Sequence, residues 1–151
     1  GFSISVTDYW FNGGPGYFHY GSHNTNHTFE AQIGYDFGPL TLNWYTNFAG
    51  TDGVNNEGNR AYSSYISATV PFTLAGLEWT AEIGATPWAT DFYNYSEDPV
   101  CNGSNGFTVC DISLGAAKEI RITDSFSVPA FAKVTVNPRT EGAYFVFGLS
   151  F

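Results

Sequence analysis

Three histidines spaced by four, His19, His23 and His27 in "HYGSHNTNH", could hold a metal ion if a helix placed them on one face. In a Gly/Asn-rich stretch that spacing carries no such geometry, so exposed loop histidines are expected and no metal is assigned. Ser22 and His23 adjoin, but no acid stands at a legible spacing and there is no G-x-S-x-G elbow. No catalytic residue and no cofactor are expected, and the chain reads as a non-enzyme. "TDGVNNEGN" offers Asp52, Asn55, Asn56 and Glu57 as oxygen ligands without EF-hand spacing. A solvated hairpin tip is expected there, with a weak surface calcium site as the alternative.

Glu78 and Glu82 resemble a carboxylate pair. Along a strand they stand roughly 13 Å apart, too far for glycoside chemistry. Cys101 and Cys110 flank "NGSNGFTV", a stretch able to turn back on itself. In an oxidising compartment a disulfide is the expected state, two unpaired thiols being the alternative. Tyr17, Phe18, Tyr20, Trp88, Phe92, Tyr93 and Tyr95 sit among Asn, Asp and Gly. That mixture suits a glycan or a protein partner, unless the rings belong to an outer aromatic girdle.

The elements that position these residues read as strands. Eight segments alternate with period two, the spacing at which side chains share a strand face. Phe2, Ile4, Val6 and Trp10 open the apolar set, followed by Phe29, Ala31, Ile33 and Tyr35, then Leu40, Leu42, Trp44 and Phe48. The scheme continues through Ile66–Phe72, Leu77–Ala85, Ile112–Ala116 and Phe126–Val136, and it closes with Ala143, Phe145, Phe147, Leu149 and Phe151. Connections alternate as well. "DFGP", "TLAG" and "EIRITD" are short, whereas residues 12–26, 50–60 and 86–106 form long loops; "NPRTE" is a compact exception. Such sorting means antiparallel strands joined up and down, in a single domain over residues 1–151.

Composition constrains the surroundings. Aromatic residues make up 19 % and charged residues 13 %, against about 25 % charged in an average soluble domain. The formal charge of −9 argues against a nucleic-acid partner, which needs basic patches. No apolar run is long enough for a spanning helix. The chain is in strand phase from its first residues, "GFSISVTDYWF", without a basic and apolar leader, so a longer native N-terminal side is expected.

Periodicity alone does not say which face is covered. The polar sets are small and wet, the charges are few, and aromatics cluster near both strand ends, as in the girdles of a membrane barrel. The last strand carries "TEGAYFVF", with Thr140, Gly142, Phe145 and Phe147, and Phe151 ends the chain. Here the sequence resembles a bacterial outer-membrane β-barrel, whose final strand bears an assembly signal of the form polar–x–Gly–x–x–aromatic–x–aromatic with a terminal Phe. By texture ("VTDYWF", "NWYTNFAG") it is similar to porins of the TorF type.

The resemblance implies an all-β, antiparallel, up-and-down transmembrane barrel in the bacterial outer membrane, with its C-terminus at the periplasmic side. It implies Gly142, Phe145, Phe147 and Phe151 as the assembly signal. Outer-membrane lipid, lipopolysaccharide and the barrel-assembly machinery are the implied partners. The polar sets would then line a lumen, with Glu30, Asn43, Glu78, Glu82, Asp111 and Lys133 among them. Four carboxylates against one ammonium imply that some are protonated or that water reaches them, because an unpaired buried charge costs several kcal/mol, on the order of a fold's whole margin; water is the reading favoured. An eight-stranded barrel is filled by its own side chains, so a wider barrel of about ten to twelve strands is expected. The function expected is a porin-like passive channel with an acidic, cation-favouring lumen for small polar solutes. Two alternatives stand beside it: a non-conducting barrel acting through its loops on a surface glycan or protein, and a soluble carbohydrate-binding β-barrel or sandwich.

Overall fold

The computed structural model describes residues 1–11, 13–14, 16–21, 24–93 and 106–150. Eight strands follow one another: β1 (Phe2–Trp10), β2 (His27–Asp36), β3 (Thr41–Gly50), β4 (Ser64–Leu74), β5 (Leu77–Thr86), β6 (Thr108–Thr123), β7 (Phe126–Asn137) and β8 (Gly142–Leu149). Each pairs antiparallel with the next, giving one sheet in sequence order, and the described residues include no helix. The expected up-and-down meander is therefore present.

Tight turns fix the register at one end. At Phe37–Leu40 the Asp36 carboxylate accepts from the Gly38 N–H at 2.7 Å, and Gly38 takes φ +92°. Between β4 and β5, Ala75 and Gly76 both have positive φ, the backbone of a type I′ hairpin turn. At the opposite end, Asn137 Oδ1 accepts from the N–H groups of Arg139 and Thr140, which tightens the β7–β8 connection.

Two expectations need correction. "EIRITD" is strand through Thr123, with only Asp124 in the turn: β6 runs 16 residues to Thr123, and Arg121 pairs with Asp124 at 2.9 Å. Ile120 and Ile122 alternate with Glu119 and Arg121, so the period of two simply continues past the charges. The β6–β7 hairpin consequently reaches beyond the β4–β5 turn, with Ile120 opposite Val128. The sheet is also open. No described residue of β1 pairs with β8, so these eight strands do not close into a barrel.

Burial is inverted relative to an ordinary domain. Among the described residues the largest fully buried side chains are His27, Asn47, Thr28, Thr86, Thr90, Ser63 and Ser64. Leu42, Ile83 and Phe147 are 43 %, 47 % and 65 % exposed. The apolar parity forms a largely uncovered face, with Val128 and His27 as buried exceptions, and the polar parity forms the packed one.

Candidate functional site

Register aligns the polar side chains into rows across the sheet. Gln32 faces Tyr45, which faces Tyr65; Asn43 faces Ser67, which faces Gly84, which faces Asp111. Glu82 faces Thr69 on one side and Ser113 on the other, and Ser113 faces Thr135. The bulge between Gly84 and Ala85 re-aims the top of β6 without disturbing these rows.

Hydroxyl groups meet the carboxylates. Tyr65 donates to Asp111 at 3.1 Å, Ser113 donates to the same carboxylate at 2.6 Å, and Thr69 donates to Glu82 at 3.0 Å. Tyr65 reaches Asp111 across Gly84, where an added Cβ would occupy the place of the tyrosine hydroxyl. Glu30 accepts from Tyr9 at 3.3 Å and from Tyr93 at 3.1 Å. Tyr93 comes from the loop between β5 and β6. Burial first, then the Glu30 carboxylate, pushes its hydroxyl well above the ordinary phenol range, so it stays a donor. The rings of Tyr45, Tyr65 and Tyr93 stand 5.8–6.0 Å apart in succession.

Of the residues expected to line a lumen, Glu30, Asn43, Glu82 and Asp111 lie half-buried on this face; Asn43 accepts from Gln32 at 3.0 Å. Lys133 shares the face, opposite Gly115, and is exposed. No ion pair among the described residues joins it to a carboxylate. Glu78 stands apart at the short-turn end, in a cleft of about 580 Å³ lined also by Lys118 and Glu119. Sequence reasoning missed the tyrosines as carboxylate partners. Their signal was parity: Tyr9, Tyr45 and Tyr65 all fall on polar positions.

The other candidates resolve individually. Asp52 accepts from the Ser63 N–H at 3.1 Å and from Asn47, and Asn55 Oδ1 accepts from the N–H groups of Glu57 and Asn59. Both side chains therefore hold their own loop together. His19 is exposed, as expected, and His23 and Ser22 lie outside the described residues. His27 is the correction: it is fully buried at the start of β2, with Asp8 at 2.8 Å. No group of three metal-binding side chains occurs among the described residues. Cys110 is buried in β6, while Cys101, and with it the expected disulfide, lies outside the described residues. Phe145 and Phe147 are exposed on the apolar face of β8, Gly142 begins that strand, and Phe151 lies outside the described residues. Tyr95 lies outside them too.

Comparison of the chain with protein-family models, curated proteins and solved structures found no match.

Proposed function

We propose that this chain forms much of the wall of a bacterial outer-membrane β-barrel that acts as a porin-like passive channel, its apolar face against lipid and its polar face lining a wet, cation-favouring passage. The inverted burial carries the reading. A sheet that packs Asn47, Thr86 and Ser113 while leaving Leu42, Ile83 and Phe147 uncovered is stable where the outer medium is hydrocarbon. Lipid also demands that every backbone group be paired. β1 and β8 carry no Lys or Pro to blunt their free edges, and they run in opposite directions. An even number of further antiparallel strands between them completes the barrel, in keeping with about ten to twelve in all.

Selectivity follows from the charges. Glu30, Glu82 and Asp111 are held by neutral hydroxyls, which orient the carboxylates without cancelling their charge. Phe145, Phe147 and Gly142 then serve as the assembly signal, on a last strand that runs towards the periplasmic end. One observation favours a second reading. Tyr93 reaches from the β5–β6 loop onto Glu30 of β2, placing a side chain across the long-loop end of the polar face. A barrel closed there would act through its loops alone.

Planar-bilayer recording of the full-length protein separates the two. Stepwise conductance with a reversal potential favouring cations is expected, and Glu30→Gln with Glu82→Gln should reduce that preference. Silence in the bilayer, from protein that shows a heat-dependent gel shift, would leave the non-conducting reading.

A further inference from the structure

Asp8 and His27 break the apolar parity of β1 and β2. Asp8 follows Phe2, Ile4 and Val6 on the uncovered face, and His27 precedes Phe29, Ala31 and Ile33 on the same face. A carboxylate and an imidazole there are costly unless each finds a partner. They find each other: His27 Nδ1 lies 2.8 Å from the Asp8 carboxylate, and Nε2 meets the backbone carbonyl of Tyr17. Both ring nitrogens therefore face oxygen acceptors. The His27 ring is fully buried beneath the β1–β2 loop, stacked on Tyr20 at 4.3 Å and edge-on to Tyr17 at 5.1 Å.

Residues 16–21 of the loop thus lie down on the outer wall rather than standing off it. Its base is tied by paired hydrogen bonds between Phe11 and Asn26 and by Thr25 donating to the His19 carbonyl at 2.8 Å. Ring contacts run without a break from Trp10 through Tyr17 and His27 to Phe29 and Phe48. Phe18, at the outer end, is 89 % exposed and packs edge-on against Tyr17. No Lys or Arg occurs before Arg60, so this stretch offers neither side chain to an anionic partner.

We propose that the Asp8–His27 pair latches the β1–β2 loop flat against the barrel wall, making Phe18, Tyr17 and Tyr20 a contact with the lipid interface, the boundary between headgroups and acyl chains. This rests on the membrane reading above, because the patch continues the apolar face. Aromatic side chains favour that boundary, and a partly buried, charge-assisted hydrogen bond has the strength to hold a loop there.

The test uses the full-length protein in phosphatidylcholine vesicles containing a nitroxide-labelled lipid. A bimane label is placed by Phe18→Cys, with Cys101→Ser and Cys110→Ser, and reference labels by Leu42→Cys and Glu57→Cys. Labels at 42 and 18 should both be quenched, and the label at 57 should not. Adding His27→Phe, which keeps a stacked ring but removes both donors, should drop quenching at 18 to the level at 57. In unlabelled protein, chymotrypsin should cut after Tyr17, Phe18 and Tyr20 about tenfold faster with His27→Phe, the factor one charge-assisted hydrogen bond supplies. Should the lone Asp8 prevent folding, Asp8→Leu with His27→Phe must give the same release. Quenching at 42 without quenching at 18 overturns the latch alone, as does a loop that stays protected in either variant. Absence of quenching at 42 overturns the membrane reading itself.

Discussion

Ser113 and Leu114 are neighbours in β6, yet Ser113 is 3 % exposed and Leu114 is 40 % exposed. The same contrast separates Ser67 from Ile66's face, and Asn47 from Phe48. On the polar face, side chains touch: Ser113 shares a hydrogen bond with Thr135 at 2.9 Å, and Tyr65 spans Gly84 to Asp111. On the apolar face, away from the β1–β2 loop, large side chains such as Leu42, Ile83 and Phe147 stand exposed. The two faces therefore differ in what holds them. One is organised by hydrogen bonds between chain segments, and the other leaves its large apolar side chains exposed.

The sharpest way to break this comparison is a charge on the apolar face. Ile83→Arg should cost about 2–4 kcal/mol in a lipid-facing strand, read by urea unfolding in vesicles. The same exchange on a water-exposed surface would stay within about 0.5 kcal/mol, so a small effect would sink the assignment of that face. Next comes the packed face. Gly84→Ala should displace Tyr65 from Asp111 and destabilise by about 1–3 kcal/mol, the cost of a buried group left without its partner. Tyr65→Phe removes the hydroxyl alone and should cost less, and the pair should not add, because both act on one contact. Smallest is the contrast within the acidic set. Glu82→Gln should lower cation preference in bilayer recordings, whereas Glu78→Gln, exposed at the short-turn end, should leave it nearly unchanged. Equal effects would place the narrowest part of the passage at the turn end.

The strands were legible because alternation is a local property. Phe29, Ala31, Ile33 and Tyr35 declare a face within seven residues. "EIRITD" was misread because Glu119, Arg121 and Asp124 look like turn residues, although Ile120 and Ile122 keep the period between them. His27 was misread for the converse reason. A Gly/Asn-rich run hid the first residue of β2, and nothing in the run reveals Asp8 across the hairpin. The carboxylate partners were half legible. Parity put Tyr45 and Tyr65 on the polar side, but Tyr93 meets Glu30 across 63 residues of chain, and no periodicity reaches that far.

By itself the sequence determined eight strands, their antiparallel order and the two parities, since each depends on backbone period and on turns a few residues long. Tertiary structure alone decided which hydroxyl meets which carboxylate, on which side the β1–β2 loop lies, and that β1 and β8 stay unpaired. Those outcomes depend on register and curvature accumulated across the sheet, where each strand's place is set by neighbours distant in the chain.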